Sequence, residues 1–255
     1  MAPRPKGLYI ADQGRPDAAA VYGGAHSSWS NYNNVLLQKI LSVTVVALIM
    51  TSIRTIWFTA DLHLGHGNII KHCARPFLSA DEAAMLVAKN DNNWRVSNKT
   101  VHRHDEALLE AINVRVKETD QLWILGDFCM GGLETARTYR DRICCRHVGL
   151  VWGNHDRRIL ERLFSQTMEQ GLITVHGQGI WLNHYPMRSW RNSYHGTWHL
   201  YGHAHGRLVD EDNAQPWRLT MDVGVDAMGY EPISFDQIHS YMMPRVAAFE
   251  EYKAR

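Results

Sequence analysis

An α/β domain with a mixed sheet is predicted by three features of this 255-residue chain. From residue 54 onward, short apolar runs rich in Ile, Val, Trp and Leu alternate with amphipathic stretches. Gly-containing turns separate them, as expected where a strand hands over to a helix. Late in the chain, strand-like runs follow one another directly, so the sheet is mixed rather than all-parallel.

The predicted strands are 56–60, 121–125, 147–152, 172–176 and 180–182, with two later ones at 197–201 and 217–223. The predicted helices are 67–74, 79–95, 104–117, 132–143, 156–169 and 234–242. Residues 1–34, rich in Ala, Gly, Pro, Ser and Asn without periodicity, read as a flexible tail. An apolar segment follows, but its uncharged part, 40–53, has only 14 residues. A membrane-spanning helix needs roughly 20. The expected organisation is a 1–53 extension with a short apolar helix, then one domain over 54–255. Membrane association through residues 35–53 is the weaker reading.

Lys plus Arg number 27 and Asp plus Glu 26, and residues 54–255 alone carry 23 against 24. That balance leaves no basic footprint for extended nucleic-acid or anionic-membrane contacts. The four cysteines, Cys73, Cys129, Cys144 and Cys145, show no C-x-x-C spacing, and adjacent cysteines rarely bridge each other. They read as reduced thiols of a cytoplasmic protein. Histidine is unusually frequent, with 15 residues, and it is the commonest metal-ligand side chain.

What ends the strands is more informative than the strands. The run at 56–60 is followed by Asp61-Leu62-His63, and the run at 121–125 by Gly126-Asp127. The third is followed by Gly153-Asn154-His155-Asp156, the run at 180–182 by Asn183 and His184, and the run at 197–201 by Gly202-His203-Ala204-His205. In open α/β sheets ligands bind outside the carboxyl ends of the strands, so these termini can converge. Asp61/His63 and His203/His205 are i, i+2 pairs, which an extended backbone points to one side. Gly126, Gly153 and Gly202 each directly precede a polar residue, where glycine permits sharp bends and close approach. A lone D-x-H or G-D is commonplace as a turn or cap; five such sets, each at a strand end, are not. Oxygen and imidazole donors without thiolate suit Mn²⁺, Fe, Zn²⁺, Co²⁺ or Ni²⁺ better than Ca²⁺ or Cu⁺. His66 is a weaker candidate for the same pocket, and the other histidines read as surface or core residues.

With these motifs in order over about 55–240, the chain resembles the calcineurin-like metallophosphoesterases, and within them a bacterial and phage subgroup. The resemblance implies a four-layer α-β-β-α sandwich of two mixed sheets. It implies two divalent metals, Mn²⁺ first among them, with Asp61, His63 and His205 on one, Asn154, His184 and His203 on the other, and Asp127 bridging. His155 would stand beside the metals as the acid, with Asp156 orienting it and capping the following helix. A hydroxide shared by the cations would attack phosphorus in line.

The implied activity is phosphoric ester hydrolysis, with small or nucleotide-like diesters favoured. A phosphomonoesterase, a nuclease, and a metal-binding interaction module without catalysis are the alternatives. Arg188, Trp190 and Arg191 after His184, and Arg75-Pro76-Phe77, offer phosphate pairing or base stacking. A solvated loop with Trp190 packed inward is the plainer expectation.

Overall fold

Nine strands form two sheets in the computed structural model, which describes residues 54–88 and 94–255. They are β1 (Ile56–Thr59), β2 (Gln121–Ile124), β3 (His147–Val151), β4 (Gln166–Met168), β5 (Gln170–Val175), β6 (Gln178–Asn183), β7 (Trp198–Tyr201), β8 (Thr220–Asp222) and β9 (Ile233–Ser234). The helices are α1 (Gly67–His72), α2 (Ala80–Ala88), α3 (Asn98–Arg115), α4 (Leu133–Arg140), α5 (Val209–Ala214) and α6 (Phe235–Lys253). The expectations for residues 1–53 lie outside the described residues.

The first sheet has the order β4-β3-β2-β1-β9, parallel except where β9 runs against β1. The second has the order β5-β6-β7-β8, with β6, β7 and β8 parallel. Its β5–β6 hairpin turns through His176-Gly177, both at positive φ as a type I′ turn requires.

Period-two alternation explains the layering. Leu122 and Ile124 of β2 face outward, into a core with Leu108, Leu109 and Ile112 of α3 and Ala136 of α4. Trp123 and Leu125 face the other way and pack with Ile180, Leu182, Trp198 and Leu200 of the second sheet. On the far side of that sheet, His199 and Tyr201 lie under Trp190 and α5: the Trp190 and His199 rings are 5.1 Å apart, and Tyr201 donates to Asp212. α6 starts at a capping box between Ser234 and Gln237 and sets Phe235, Ile238, Met242 and Phe249 into the inter-sheet core. The α/β sandwich of two mixed sheets with flanking helices is therefore observed.

Several elements differ from expectation. Segment 156–169 is not a helix: a 3₁₀ turn over Arg158–Leu163 leads into β4, which adds to the sheet edge beside β3. Strand pairing there overrides a helix-like pattern. α3 begins at Asn98 rather than 104, because the Ser97 side chain accepts the Thr100 N–H as its cap. α6 continues past Pro244 to Lys253. Among the described residues no helix is long and apolar enough to cross a membrane.

Candidate metal centre

Because β1, β2 and β3 are parallel, their carboxyl ends share one edge, and β6 and β7 likewise share theirs. The loops beyond them are stitched together. Asp61 N–H donates to Gly126 O, and His63 N–H to Asp127 O. Between the sheets, Val225 N–H donates to Ala60 O, and His203 N–H to the Asp61 carboxylate at 2.8 Å.

The backbone here is not extended, contrary to the i, i+2 argument. Asp61, His63, Asp127, His203 and His205 all adopt left-handed conformations, with φ between 49° and 65°. Each costs roughly 1–3 kcal/mol and persists only where its surroundings hold it. The side chains still converge. One donor atom each from Asp61, His63 and His205 lie within 4.8 Å of one another, as do those of Asp61, Asp127 and His184, and those of His63, Asp127 and His155. The neighbouring glycines make room for these side chains. A Cβ on Gly153 would sit 2.3 Å from Asp127 Oδ1, and one on Gly202 would sit 2.6 Å from Asp61 Oδ2.

Asp127 Oδ2 stands between two imidazoles, 3.3 Å from His63 Nε2 and 3.5 Å from His184 Nε2. Both rings are engaged through Nδ1: His184 donates to Leu125 O at 2.8 Å, and His63 meets His66 Nδ1 at 3.3 Å. The neutral His184 ring so held turns its Nε2 lone pair to the side of this carboxylate. Asn154 Oδ1 adds a further oxygen 3.1 Å from His184 Nε2. Asp61 Oδ1 and His63 Nε2 are buried with no hydrogen-bond partner. Burial pushes the Asp61 carboxyl well above its ordinary range and the His63 imidazole far below its own, the latter helped by the charge of Arg75. Burial also lowers His184, His203 and His66. Sealed, converging lone pairs of oxygen and nitrogen fit divalent cations of the Mn²⁺, Fe and Zn²⁺ kind.

His203 is the loosest of the expected ligands. It is exposed, its ring packs 5.0 Å from that of His184 and 4.7 Å from that of Tyr185, and it joins no tight donor group. His155 is exposed and makes no side-chain hydrogen bond among the described residues; its N–H donates to Asp127 Oδ1. Asp156 requires a correction. Its oxygens accept the N–H groups of Gly153, Asp127 and Phe128, so it ties two loops together. It makes no hydrogen bond to the His155 ring and caps no helix, the 3₁₀ turn lacking a side-chain cap.

The substrate-facing expectations fare differently. Trp190 is packed inward and donates to Thr197 O, so it offers no stacking face, while Arg188 lines a groove with Tyr194 and Trp217. Arg75 is sealed in the interior, unavailable to phosphate. All five of its donors are used. Nε and Nη2 grip both oxygens of Asp226, at 2.9 and 2.7 Å, Nη2 also reaches Asp61 O, and Nη1 reaches Leu62 O and His104 Nε2. His104 is tied in turn to Asp105, which accepts the Gly65 N–H and the Tyr139 hydroxyl.

Asp226 was not foreseen. It accepts His205 Nδ1–H at 2.7 Å and so turns Nε2 of that ring toward Asp61 and His63. Burial pulls His205 down, but this bond together with Cys73 and the charge of Asp61 outweighs it and lifts the imidazole to about 10. Cys73 forms a further donor group with His205 and Asp226, whose carboxylate the Arg75 fork already occupies. No spacing rule flags Asp226. The one available signal is a carboxylate shortly after β8 in Asp222-Val-Gly-Val-Asp226, on a strand that reaches the same edge.

Comparison with known proteins agrees with this architecture. A protein of unknown function from Aquifex aeolicus has a crystal structure that superposes with a TM-score of 0.52 at 19% identity, over 74% of this chain and 99% of that one, which shows the fold alone. An uncharacterized protein of Methanocaldococcus jannaschii is 28% identical over 190 residues, 73% of this chain and 90% of its own length. The Gene 66 protein of Mycobacterium phage D29 is 25% identical over 212 residues, 72% of this chain and 93% of its own. The sequence profile of the calcineurin-like phosphoesterases matches residues 54–251, nearly the whole of the sandwich. The chain thus belongs to the calcineurin-like phosphoesterase family, metal-dependent hydrolases of phosphoester bonds.

Proposed function

We propose that the chain is a two-metal phosphodiesterase acting on small or nucleotide-like diesters. The observation that carries this is the single Asp127 oxygen shared between His63 and His184, each ring anchored by its other nitrogen. Asp61, His63 and His205 would hold one cation, Asn154, His184 and His203 the second, and Asp127 both. Mn²⁺ is the first choice. Such cations lower the pKa of water and neutralise charge on phosphoryl oxygens.

The protein's own groups do the rest. Asp226 keeps His205 Nε2 turned inward, and Asp156 fixes the loops that present Asp127 and His155. His155, with no competing side-chain bond, protonates the departing oxygen. The diester preference is supported by an open rim: Asn154, His155 and His203 are exposed, so substituents can extend from phosphorus on both sides. Four free thiols, two of them adjacent, fit a cytoplasmic setting.

The test is a paired assay on the full chain, stripped with chelator and reloaded with Mn²⁺. Release of p-nitrophenol is followed from bis-p-nitrophenyl phosphate and from p-nitrophenyl phosphate. Metal-restored turnover of the diester well above the monoester is expected. The reverse ratio replaces the diesterase by a monoesterase, metal-independent turnover removes the two-metal reading, and absent turnover of both removes the catalytic one.

A further inference from the structure

His66 has no part in the function proposed above, yet it stands at the centre. It precedes α1, is half-buried, and its Nδ1 lies 3.3 Å from His63 Nδ1. Its ring centroid is 5.3 Å from that of His63 and 5.6 Å from that of His155, while His63 and His155 are 5.1 Å apart. The three imidazoles form one cluster, of which His63 is the sealed member and the other two face outward.

The proton positions follow by elimination. As a ligand of the first cation, His63 would offer its Nε2 lone pair beside Asp127, and the neutral ring then carries its proton on Nδ1. That proton meets His66 Nδ1. A neutral His66 then carries its own proton on Nε2. No hydrogen bond engages this Nε2 among the described residues, and it is not one of the sealed polar atoms. That ring nitrogen is the one not turned to His63, on a ring whose centroid lies 5.6 Å from that of His155.

We propose that His66 is a catalytic residue whose Nε2–H donates a hydrogen bond to a phosphoryl oxygen, beside His155. The inference rests on the phosphoester-hydrolase reading. The carboxylates and lone pairs at the centre would be taken up by the cations, so an N–H donor beside them is available to a phosphoryl oxygen. Charge builds on the equatorial oxygens during in-line displacement, where a fixed donor stabilises the transition state more than the ground state. His66 keeps its proton throughout; His155 gives its own to the leaving oxygen.

The competing explanation is that His66 only props His63. The two roles use different nitrogens, and two substitutions separate them. His66→Asn places an amide where Nδ1 was and removes the outward donor. His66→Gln places an amide near Nε2 and removes the inner contact. Manganese content, inorganic-phosphate affinity by calorimetry, and turnover of bis-p-nitrophenyl phosphate are measured on the full chain for wild type, His66→Ala, His66→Asn and His66→Gln.

The expected result is that Ala and Asn weaken phosphate binding about tenfold and lower kcat about a hundredfold, with manganese content unchanged. Gln recovers most of both losses. If Asn matches wild type in phosphate affinity and kcat, or if only Ala and Gln lose manganese, His66 serves His63 alone and the proposal falls. A wild type that binds phosphate with this variant pattern but turns over no ester removes the hydrolase reading and leaves the donor assignment intact. A wild type that binds no phosphate overturns both.

Discussion

Removing the Arg75 guanidinium is the most diagnostic structural perturbation. In Arg75→Met the aliphatic bulk is kept, but Asp226 is left as a buried carboxylate with only His205 for a partner, and two backbone carbonyls lose their donors. Breaking a buried, hydrogen-bonded ion pair from one side costs about 3–5 kcal/mol. For a chain of this size that is a fall in Tm of roughly 6–20 °C. Asp226→Leu alone should cost a similar amount, since it strands Arg75. The double variant removes both charges together, so it should cost about 5 kcal/mol instead of the sum, a coupling of about 3 kcal/mol. The assay is guanidinium denaturation of chelator-treated protein, monitored by tryptophan fluorescence. Calorimetric titration with Mn²⁺ follows: both the Asp226→Leu and the double variant should lose manganese affinity about 10–100-fold, because His205 is no longer turned inward. Single costs that add within about 0.5 kcal/mol would refute the ion-pair argument. Wild-type manganese affinity in Asp226→Leu would refute the orienting role.

Three further outcomes are expected. Gly153→Ala places a Cβ against Asp127 Oδ1, so it should lower manganese affinity, and a wild-type binding isotherm would show the loop is slack. His155→Ala should keep its metals but lose about 10²–10⁴-fold in kcat on an ester with a poor leaving group, and much less on a p-nitrophenyl ester; equal losses on both would rule out proton donation. His199 is fully buried, donating to Trp181 O and accepting from Met187 N–H, and burial lowers its imidazole from 6.5 to about 4. The unfolded state binds the extra proton first. The stability from this group is therefore full above pH 6.5 and is lost as pH falls toward 4, by about 3 kcal/mol. His199→Gln should be weaker at pH 7 but flatter between pH 7 and 4.5; identical slopes would refute this.

Strand ends were the legible part of this chain. β1, β2, β3, β6 and β7 each announce themselves by an apolar run and a polar terminus, and each is followed by a residue of the converging donor groups. The left-handed backbone at Asp61, His63, Asp127, His203 and His205 was not legible, because non-glycine residues reach it only under tertiary restraint. The partners supplying that restraint were equally silent. Arg75, the adjacent pair His104-Asp105 of α3 and Asp226 come from separate segments with no fixed spacing, and phosphate pairing by Arg75 was the less plain of its two readings. β9 and β4, with two and three residues, carry too few for periodicity to register.

The two sheets are joined at one end. Ala60 beyond β1 bridges Gly224 beyond β8, and His203 is bound to Asp61 across the same seam. The chain also passes directly from β4 to β5 through Glu169, and between the sheets lie apolar side-chain contacts that allow sliding. The sandwich resembles a book bound along its spine, with the cation-binding residues set in the binding. Breathing of the sheets then pivots about the centre and opens the far edge most. Distances among Asp61, Asp127 and His205 should stay nearly constant while the leaves move, so thermal softening and precision of the donor set can coexist in one fold.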